Sequence, residues 1–177
     1  MKKYVITFGI IAGVIVSAMM VYSITSCYNS LDFDGSEIIG YSSMIIAFSF
    51  IFVAIKNYRD KNNAGIISFG KAFRIGLFIT LVASTIYVLV WVIYFYNFVP
   101  DFMDKYTAHT IQQAKESGLS ATKLKDQTAQ ITKMSEMYKN PLFVVLFTYM
   151  EIMPVGLIIS LIAALILKRN TSKVVAT

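Results

Sequence analysis

Four long apolar runs are the feature that most constrains the fold of this chain. They cover residues 4–26, 38–55, 75–98 and 142–167, and only the fourth contains a charged residue, Glu151. A helix of about 20 apolar residues crosses a bilayer core of about 30 Å. Lipid offers no hydrogen-bond partners, so each run must satisfy its own backbone groups, as a helix does. The sequence predicts an all-α integral membrane four-helix bundle, with residues 1–177 as a single membrane domain.

The composition and charge agree with a membrane protein. Hydrophobic residues make up 56% of the chain and charged residues 15%, whereas a soluble domain has about 25% charged residues. The net charge of +6 comes from basic residues that flank the apolar runs and do not form one stripe. We therefore expect the lipid bilayer as a partner, and no nucleic acid. The single cysteine excludes an internal disulfide.

The basic residues also predict the orientation, because Lys and Arg stay on the cytoplasmic side. Ten of them precede run one, separate runs two and three, or follow run four: Lys2, Lys3, Lys56, Arg59, Lys61, Lys71, Arg74, Lys168, Arg169 and Lys173. We predict a multi-pass protein of the cell inner membrane with cytoplasmic N and C termini. The middle-loop residues Lys56, Arg59, Lys61, Lys71 and Arg74 are candidate contacts for anionic lipid. Aromatic residues expected at the outer interface include Trp91, Tyr94 and Tyr96.

Residues 99–141 predict an extramembrane helical hairpin between spans three and four. Pro100 suits a first helical position, Ser117-Gly118 interrupts the helix, and Ser120 suits the N-cap of a second one. That second helix carries an apolar stripe of Leu124, Ile131, Met134 and Tyr138. The stripe either packs within the hairpin or docks a partner, which would be another membrane protein or a second copy. Packing is the favoured interpretation.

Glu151 and Pro154 form the candidate intramembrane functional site. A carboxylate inside a span costs about 2.5–3.5 kcal/mol on insertion scales and usually faces the protein interior. Pro154 removes a helical hydrogen bond and predicts a kink beside the acid. One interpretation is a proton or cation site. The other, which we favour because no second intramembrane carboxylate offers a relay, is a structural hydrogen bond to a span-three hydroxyl of Thr80, Ser84, Thr85 or Tyr87.

Two faces of small residues predict close helix packing, because small side chains let helix backbones approach. The first face lies on span one and the second on span four: Gly9, Gly13 and Ser17; Gly156, Ser160 and Ala164. These faces pack spans one and four within one chain or form a homodimer. We favour packing within the chain.

Several other motifs are too incomplete to support a functional assignment. Residues 65–72 resemble a phosphate-binding loop, but Ala72 replaces the required hydroxyl and no strand precedes it. Residues 24–27 resemble a lipobox that would lipidate Cys27. The apolar run before it spans 23 residues, against about 7–15 in a secretory signal, so an uncleaved span is favoured and a lipoprotein stays the alternative. The acidic turn 32–37 lacks the ligand set of an EF-hand. We predict no catalytic residue, cofactor or metal site.

Residues around span two resemble a known bacterial family. The stretches AFSFIFVAIKNYRD (residues 47–60) and GIISFGKAFRIG (residues 65–76), followed by Tyr87, Trp91 and Asp101-Phe102, resemble the family called domain of unknown function 4199. The resemblance covers nearly the whole chain. It implies a four-helix membrane domain, found mainly in Bacteroidota, in the cell membrane of a Gram-negative bacterium. It implies no activity, substrate or site residues.

The sequence thus favours a non-enzymatic inner-membrane protein that acts as a structural, assembly or regulatory component. The absence of catalytic groups beside two polar loops supports this hypothesis. The alternative is a small proton- or cation-coupled transporter or channel that uses Glu151. Transporters often contain internal repeats and paired broken helices, and no repeat is present in this sequence.

Overall fold

A computed structural model describes residues 1–31, 33 and 36–169, without the side chains of residues 36 and 37. The described residues form six helices: α1 (Lys2–Ser30), α2 (Ser36–Asn62), α3 (Phe69–Phe98), α4 (Phe102–Glu116), α5 (Ala121–Tyr138) and α6 (Pro141–Leu167). The predicted acidic turn at Asp32 and Asp34, and the predicted cytoplasmic Lys173, lie outside the described residues.

Helices α1, α2, α3 and α6 are long and apolar enough to cross a membrane. Their most apolar windows have mean hydropathies of 2.3 to 2.4, and they contain the four predicted runs. Helix α2 continues to Asn62, seven residues past the predicted end of span two at Ile55. The extension is polar because Lys, Arg and Asn leave the apolar pattern, but a helix does not need apolar residues to continue.

Local chemistry sets the helix ends. The Ser120 hydroxyl accepts a hydrogen bond from the backbone N–H of Lys123, so the predicted N-cap of α5 is confirmed. Gly118 has a φ of +69° and follows the end of α4, which confirms the predicted interruption. The prediction for Pro100 is wrong, because α4 begins at Phe102 with Asp101 as its N-cap.

Helix α3 lies between α1 and α6 and forms the two most extensive helix–helix interfaces with them. Gly9 and Gly13 of α1 face α3, where an added Cβ would lie 2.8 Å from Val82 and 2.9 Å from Ile86. The predicted packing of spans one and four against each other is therefore wrong. Their small-residue faces both contact α3, which separates them.

The α6 face meets α3 and α2 in a fully buried layer. A Cβ on Gly156 would lie 2.3 Å from Cγ2 of Thr80 and 2.9 Å from Phe48. The hydroxyls of Thr80 and Ser160 are 3.2 Å apart. Phe48, Thr80 and Ser160 have no exposed surface, so this layer closes the middle of the protein.

Three hydrogen bonds, two of them in one bridge, bring the basic residues together at one end of the molecule. The Tyr4 hydroxyl donates to Asn62 Oδ1 at 2.7 Å, which joins the start of α1 to the end of α2. Ile67 and Arg169 form an antiparallel bridge with N–O distances of 3.1 and 2.9 Å. The start of α1, the α2–α3 connection and the end of α6 therefore lie together.

Candidate functional site

A cavity of about 300 Å³ lies in the half of the protein opposite the basic end. All six helices line it. Its polar lining residues are Ser23, Ser43, Thr148 and Glu151. Its aromatic lining residues are Tyr41, Tyr87, Trp91, Phe102, Tyr106 and Tyr138. The rest of the lining consists of Gly40, Ile24 and the methionines Met20, Met103 and Met134.

Helices α4 and α5 contribute one wall of this cavity. The start of α4 is buried at Phe102 and Met103, and Met134 and Tyr138 of α5 pack against the hydrophobic core. Part of the predicted α5 stripe therefore contacts the core. Helices α4 and α5 also contact each other, and Ala114 near the end of α4 is buried.

Glu151 lines the cavity from α6 and is exposed in the isolated chain. Two of its predicted hydroxyl partners are bonded elsewhere: Thr80 lies 3.2 Å from Ser160 Oγ, and Thr85 lies 2.9 Å from the Tyr149 hydroxyl. A third candidate, Tyr87, lines the same cavity. The structure thus places Glu151 in a cavity beside a phenol.

Ser84 and Pro154 complete the predicted set around the acid. Ser84 is fully buried, and its hydroxyl has no hydrogen-bond partner among the described residues. Pro154 lies inside α6, which continues through it as one helix to Leu167. Pro154 does not line the cavity, so Glu151 alone of the predicted pair reaches it.

The aromatic wall of the cavity is continuous. The Trp91 ring contacts Phe102 edge to face at 5.5 Å, and Phe102 stacks on Tyr106 at 6.1 Å. Behind this wall, Phe95 contacts Trp91 at 5.4 Å and Tyr138 at 6.0 Å. Aromatic rings therefore connect α3 with both α4 and α5.

The environment of Tyr138 raises the pKa of its hydroxyl group. Burial, followed by the nearby Glu151 carboxylate and Tyr106, raises the pKa of Tyr138 to about 12. The phenol therefore stays protonated at neutral pH and remains a hydrogen-bond donor. Tyr138 of α5 and Glu151 of α6 thus both line the cavity.

A polar cluster, which we call the tether, joins the end of α1 to the start of α4. The Tyr28 hydroxyl donates to Asp101, Lys105 Nζ lies 3.2 Å from the same carboxylate, and this ammonium sits 3.6 Å from the centre of the Tyr28 ring. The hydrogen bond from Tyr28, with that from Lys105, lowers the pKa of Asp101. Tyr28 and Asp101 raise the pKa of Lys105. The tether thus holds α4 at the cavity.

The predicted lipid contacts fall into two groups. Lys56, Lys61 and Arg74 are exposed at the basic end, so lipid contact stays a prediction for them. Arg59 is only 8% exposed. It donates to the Leu167 carbonyl at 3.2 Å and pairs with Asp60. Arg59 thus satisfies one of the last carbonyl groups of α6, which have no partner within their own helix, and little of its surface is left for lipid.

Lys71 is also partly engaged within the protein. Its ammonium donates to Asn63 Oδ1 at 3.0 Å and lies 5.3 Å from the Tyr58 ring centre. Half-buried, Lys71 stabilises the α2–α3 connection and is less available to lipid than the three exposed basic residues.

Cys27 is 5% exposed and lies inside α1, which runs unbroken to Ser30. Its thiol lies 3.3 Å from the Ile24 carbonyl. The lipobox-like residues 24–27 are therefore part of a continuous helix. His109 contacts the Phe33 ring at 5.3 Å, and the described residues contain no group of three or more His, Cys, Asp or Glu able to hold a metal ion.

Sequence reasoning missed the cavity because its residues come from six helices. Trp91 was predicted at the membrane interface, yet it is 7% exposed and lines the cavity. One signal was available: Tyr87 and Trp91 are four residues apart and so share a helix face with each other. The lining residues on α4 and α5 lie in other helices, and no regular sequence spacing relates them to Tyr87 and Trp91.

Comparison with known proteins gives one family. A family model described as "Protein of unknown function (DUF4199)" matches residues 7–169. Neither the curated proteins nor the solved structures contain a match.

Proposed function

We propose a role as a ligand-responsive regulatory component for this chain, which belongs to the DUF4199 family of proteins of unknown function. A small ligand would bind in the cavity, and its presence would change how helices α4 and α5 sit on the membrane spans. The observation that carries the proposal is that all six helices line one cavity. The protein would act as a non-enzymatic component.

The proposal places the protein in the inner membrane of a Gram-negative bacterium as a four-helix bundle. The basic residues gathered at one end, including Lys2, Lys56 and Arg169, support cytoplasmic termini. Helices α4 and α5 would then form a helical hairpin on the opposite, periplasmic side. Exposed Lys56, Lys61 and Arg74 would bind anionic lipid headgroups at the cytoplasmic surface.

Filling the cavity artificially tests the proposed coupling. Gly40 lines the cavity, and a Cβ there would meet no heavy atom within 4 Å. Gly40→Leu should imitate an occupied cavity and slow hydrogen exchange in α4 and α5 several-fold in nanodiscs. The matched control is Gly70→Leu, which also has open space but lies outside the cavity. Equal exchange in both variants would contradict the proposal.

Co-purification from cells tests the regulatory role. Wild-type protein and a variant lacking residues 101–140 would be purified in mild detergent under identical conditions. We expect a membrane protein to co-purify with the wild type and to be absent from the deletion variant. Gly40→Leu should change the amount of this partner that co-purifies. The same set of co-purified proteins for all three chains would remove the regulatory role.

The alternative function is proton- or cation-coupled transport through Glu151. The position of this carboxylate in a cavity within a span favours it. The buried layer of Phe48, Thr80 and Ser160 weighs against it, since it closes the path towards the basic end. If the protein is a transporter, it should produce a proton or cation flux in liposomes that Glu151→Gln abolishes. A flux no greater than that of protein-free liposomes would exclude transport.

A further inference from the structure

We propose that the cavity binds a small organic cation whose ammonium group pairs with Glu151 and lies against the aromatic lining residues Trp91, Tyr106 and Tyr138. The inference rests on the proposed function and specifies the chemical class of its ligand. Carboxylate and aromatic rings together are the arrangement that recognises organic ammonium groups, because ring faces carry negative electrostatic potential.

The charge of the cavity selects a cation. Glu151 is the charged residue among its described lining residues, which include no Lys or Arg. Lys105 belongs to α4, which also lines the cavity, but its ammonium is held in the tether by Asp101 and Tyr28. A bound cation would therefore meet the one acidic group of the described lining, and an anion would be repelled.

The aromatic residues select an organic cation over a metal ion. Calcium and magnesium require about six oxygen ligands, usually with carboxylates among them. Glu151 is the one carboxylate among the described lining residues of the cavity. In contrast, six aromatic residues line the cavity, and aromatic rings are the side chains that bind alkylammonium groups through cation–π contacts.

The size of the cavity limits the ligand. A volume of about 300 Å³ lies at the lower end of the range for small-molecule sites, which is about 300–1,000 Å³. It fits an ammonium group with a few carbon substituents. Such a group comes either from a free amine or from the ethanolamine headgroup of a phospholipid, and both present the same chemistry to Glu151.

Trp91 allows the proposal to be tested directly, because it is the only tryptophan in the chain and lines the cavity. The full chain in phosphatidylglycerol nanodiscs would be titrated with choline and with 3,3-dimethyl-1-butanol, an uncharged molecule of the same shape. We expect a saturable shift of Trp91 fluorescence by choline, with binding of the alcohol about tenfold or more weaker. Equal responses to the two would overturn the proposal.

A second set of nanodiscs distinguishes the two sources of the ligand. In discs that contain phosphatidylethanolamine, a headgroup in the cavity would compete with choline and move its titration to higher concentrations. An unchanged titration would exclude the lipid headgroup and leave a free organic cation as the ligand class. A chain that shows no response to choline and no difference in Trp91 fluorescence between the two discs would refute cation binding.

Variants attribute the binding to the proposed residues. Glu151→Gln should weaken choline about tenfold or more while leaving the weak binding of the alcohol unchanged. The control Glu116→Gln removes an exposed carboxylate that bonds Gln112 and lies outside the cavity. It should bind choline like the wild type. Equal affinities of Glu151→Gln and wild type would overturn the proposal, and Tyr138→Leu gives a second check through loss of the ring.

This experiment separates the two proposals. Absence of cation binding together with slowed exchange in Gly40→Leu would leave the regulatory cavity in place and reject only the ligand class. Cation binding with no effect of Gly40→Leu on α4 and α5 would instead reject the regulatory coupling.

Discussion

Gly156→Ala offers the sharpest test of the packing around α3. The added methyl carbon would lie 2.3 Å from Thr80 Cγ2, 2.8 Å from Thr80 Oγ1 and 2.9 Å from Phe48. These distances are far below van der Waals contact, and both neighbours are fully buried. Overpacking of this kind costs about 1–3 kcal/mol. We expect the upper part of that range, because Thr80 is also held near Ser160.

Cys27 provides the assay for this prediction. It is the only cysteine and is buried, so a thiol-reactive dye labels it when the protein unfolds in detergent on heating. A loss of about 2–3 kcal/mol corresponds to a decrease in Tm of about 5–10 °C for a chain of this size. The control Gly70→Ala has open space around its Cβ and should stay within about 2 °C of wild type.

Thr80→Ser supplies the rescue. It removes Cγ2, the atom closest to the added methyl group, so Gly156→Ala combined with Thr80→Ser should recover most of the lost stability. A Tm of Gly156→Ala within the range of Gly70→Ala would refute the packing described for α6 on α3. The same conclusion would follow if the double variant were no more stable than Gly156→Ala.

Two further predictions concern charged groups at the two ends of the molecule. Arg59→Gln should lower the Tm in the Cys27 assay, because the part-buried Leu167 carbonyl loses its donor at a cost of about 0.5–1.5 kcal/mol. The control Lys61→Gln changes an exposed residue and should leave the Tm unchanged; equal effects would refute the helix-capping role. Asp101 has a lowered pKa, so its stabilisation is present above the ordinary value of 3.8 and is lost as pH falls through the lower folded value. The Tm difference between wild type and Asp101→Asn should therefore shrink below about pH 3.8, and a constant difference down to pH 2 would contradict the tether.

The sequence was sufficient for the number and type of the long apolar helices, because the length and apolarity of each run alone predict them. Helix ends were predicted where a single side chain sets them, as with Ser120. Pro100 was placed two residues from the real start of α4. Its fixed φ is compatible with a turn before a helix as well as with the first helical residue.

Contacts between distant helices were harder to predict. The small faces at Gly9 and Gly156 indicated close approach but not that both would approach α3, since the bulkier Val82 and Thr80 that receive them carry no comparable signal. Arg59 looked like the other basic residues of its loop until the end of α6 was placed beside it. Glu151 could be predicted as a candidate site because a carboxylate within an apolar run has a high free-energy cost in lipid. The aromatic residues around it could be identified only from the folded structure.

The central position of α3 has a consequence for how the protein is made. When α1 and α2 leave the ribosome, the partner of the Gly9 and Gly13 face has not yet been synthesised, and α6 follows later still. Helices α1 and α2 contact each other, so they can associate early, but the glycine face of α1 can pack only after α3 has followed, as in two-stage assembly of membrane helices. A nascent chain stalled after Asn62 should hold α1 in the bilayer with its glycine face against lipid or an insertion factor.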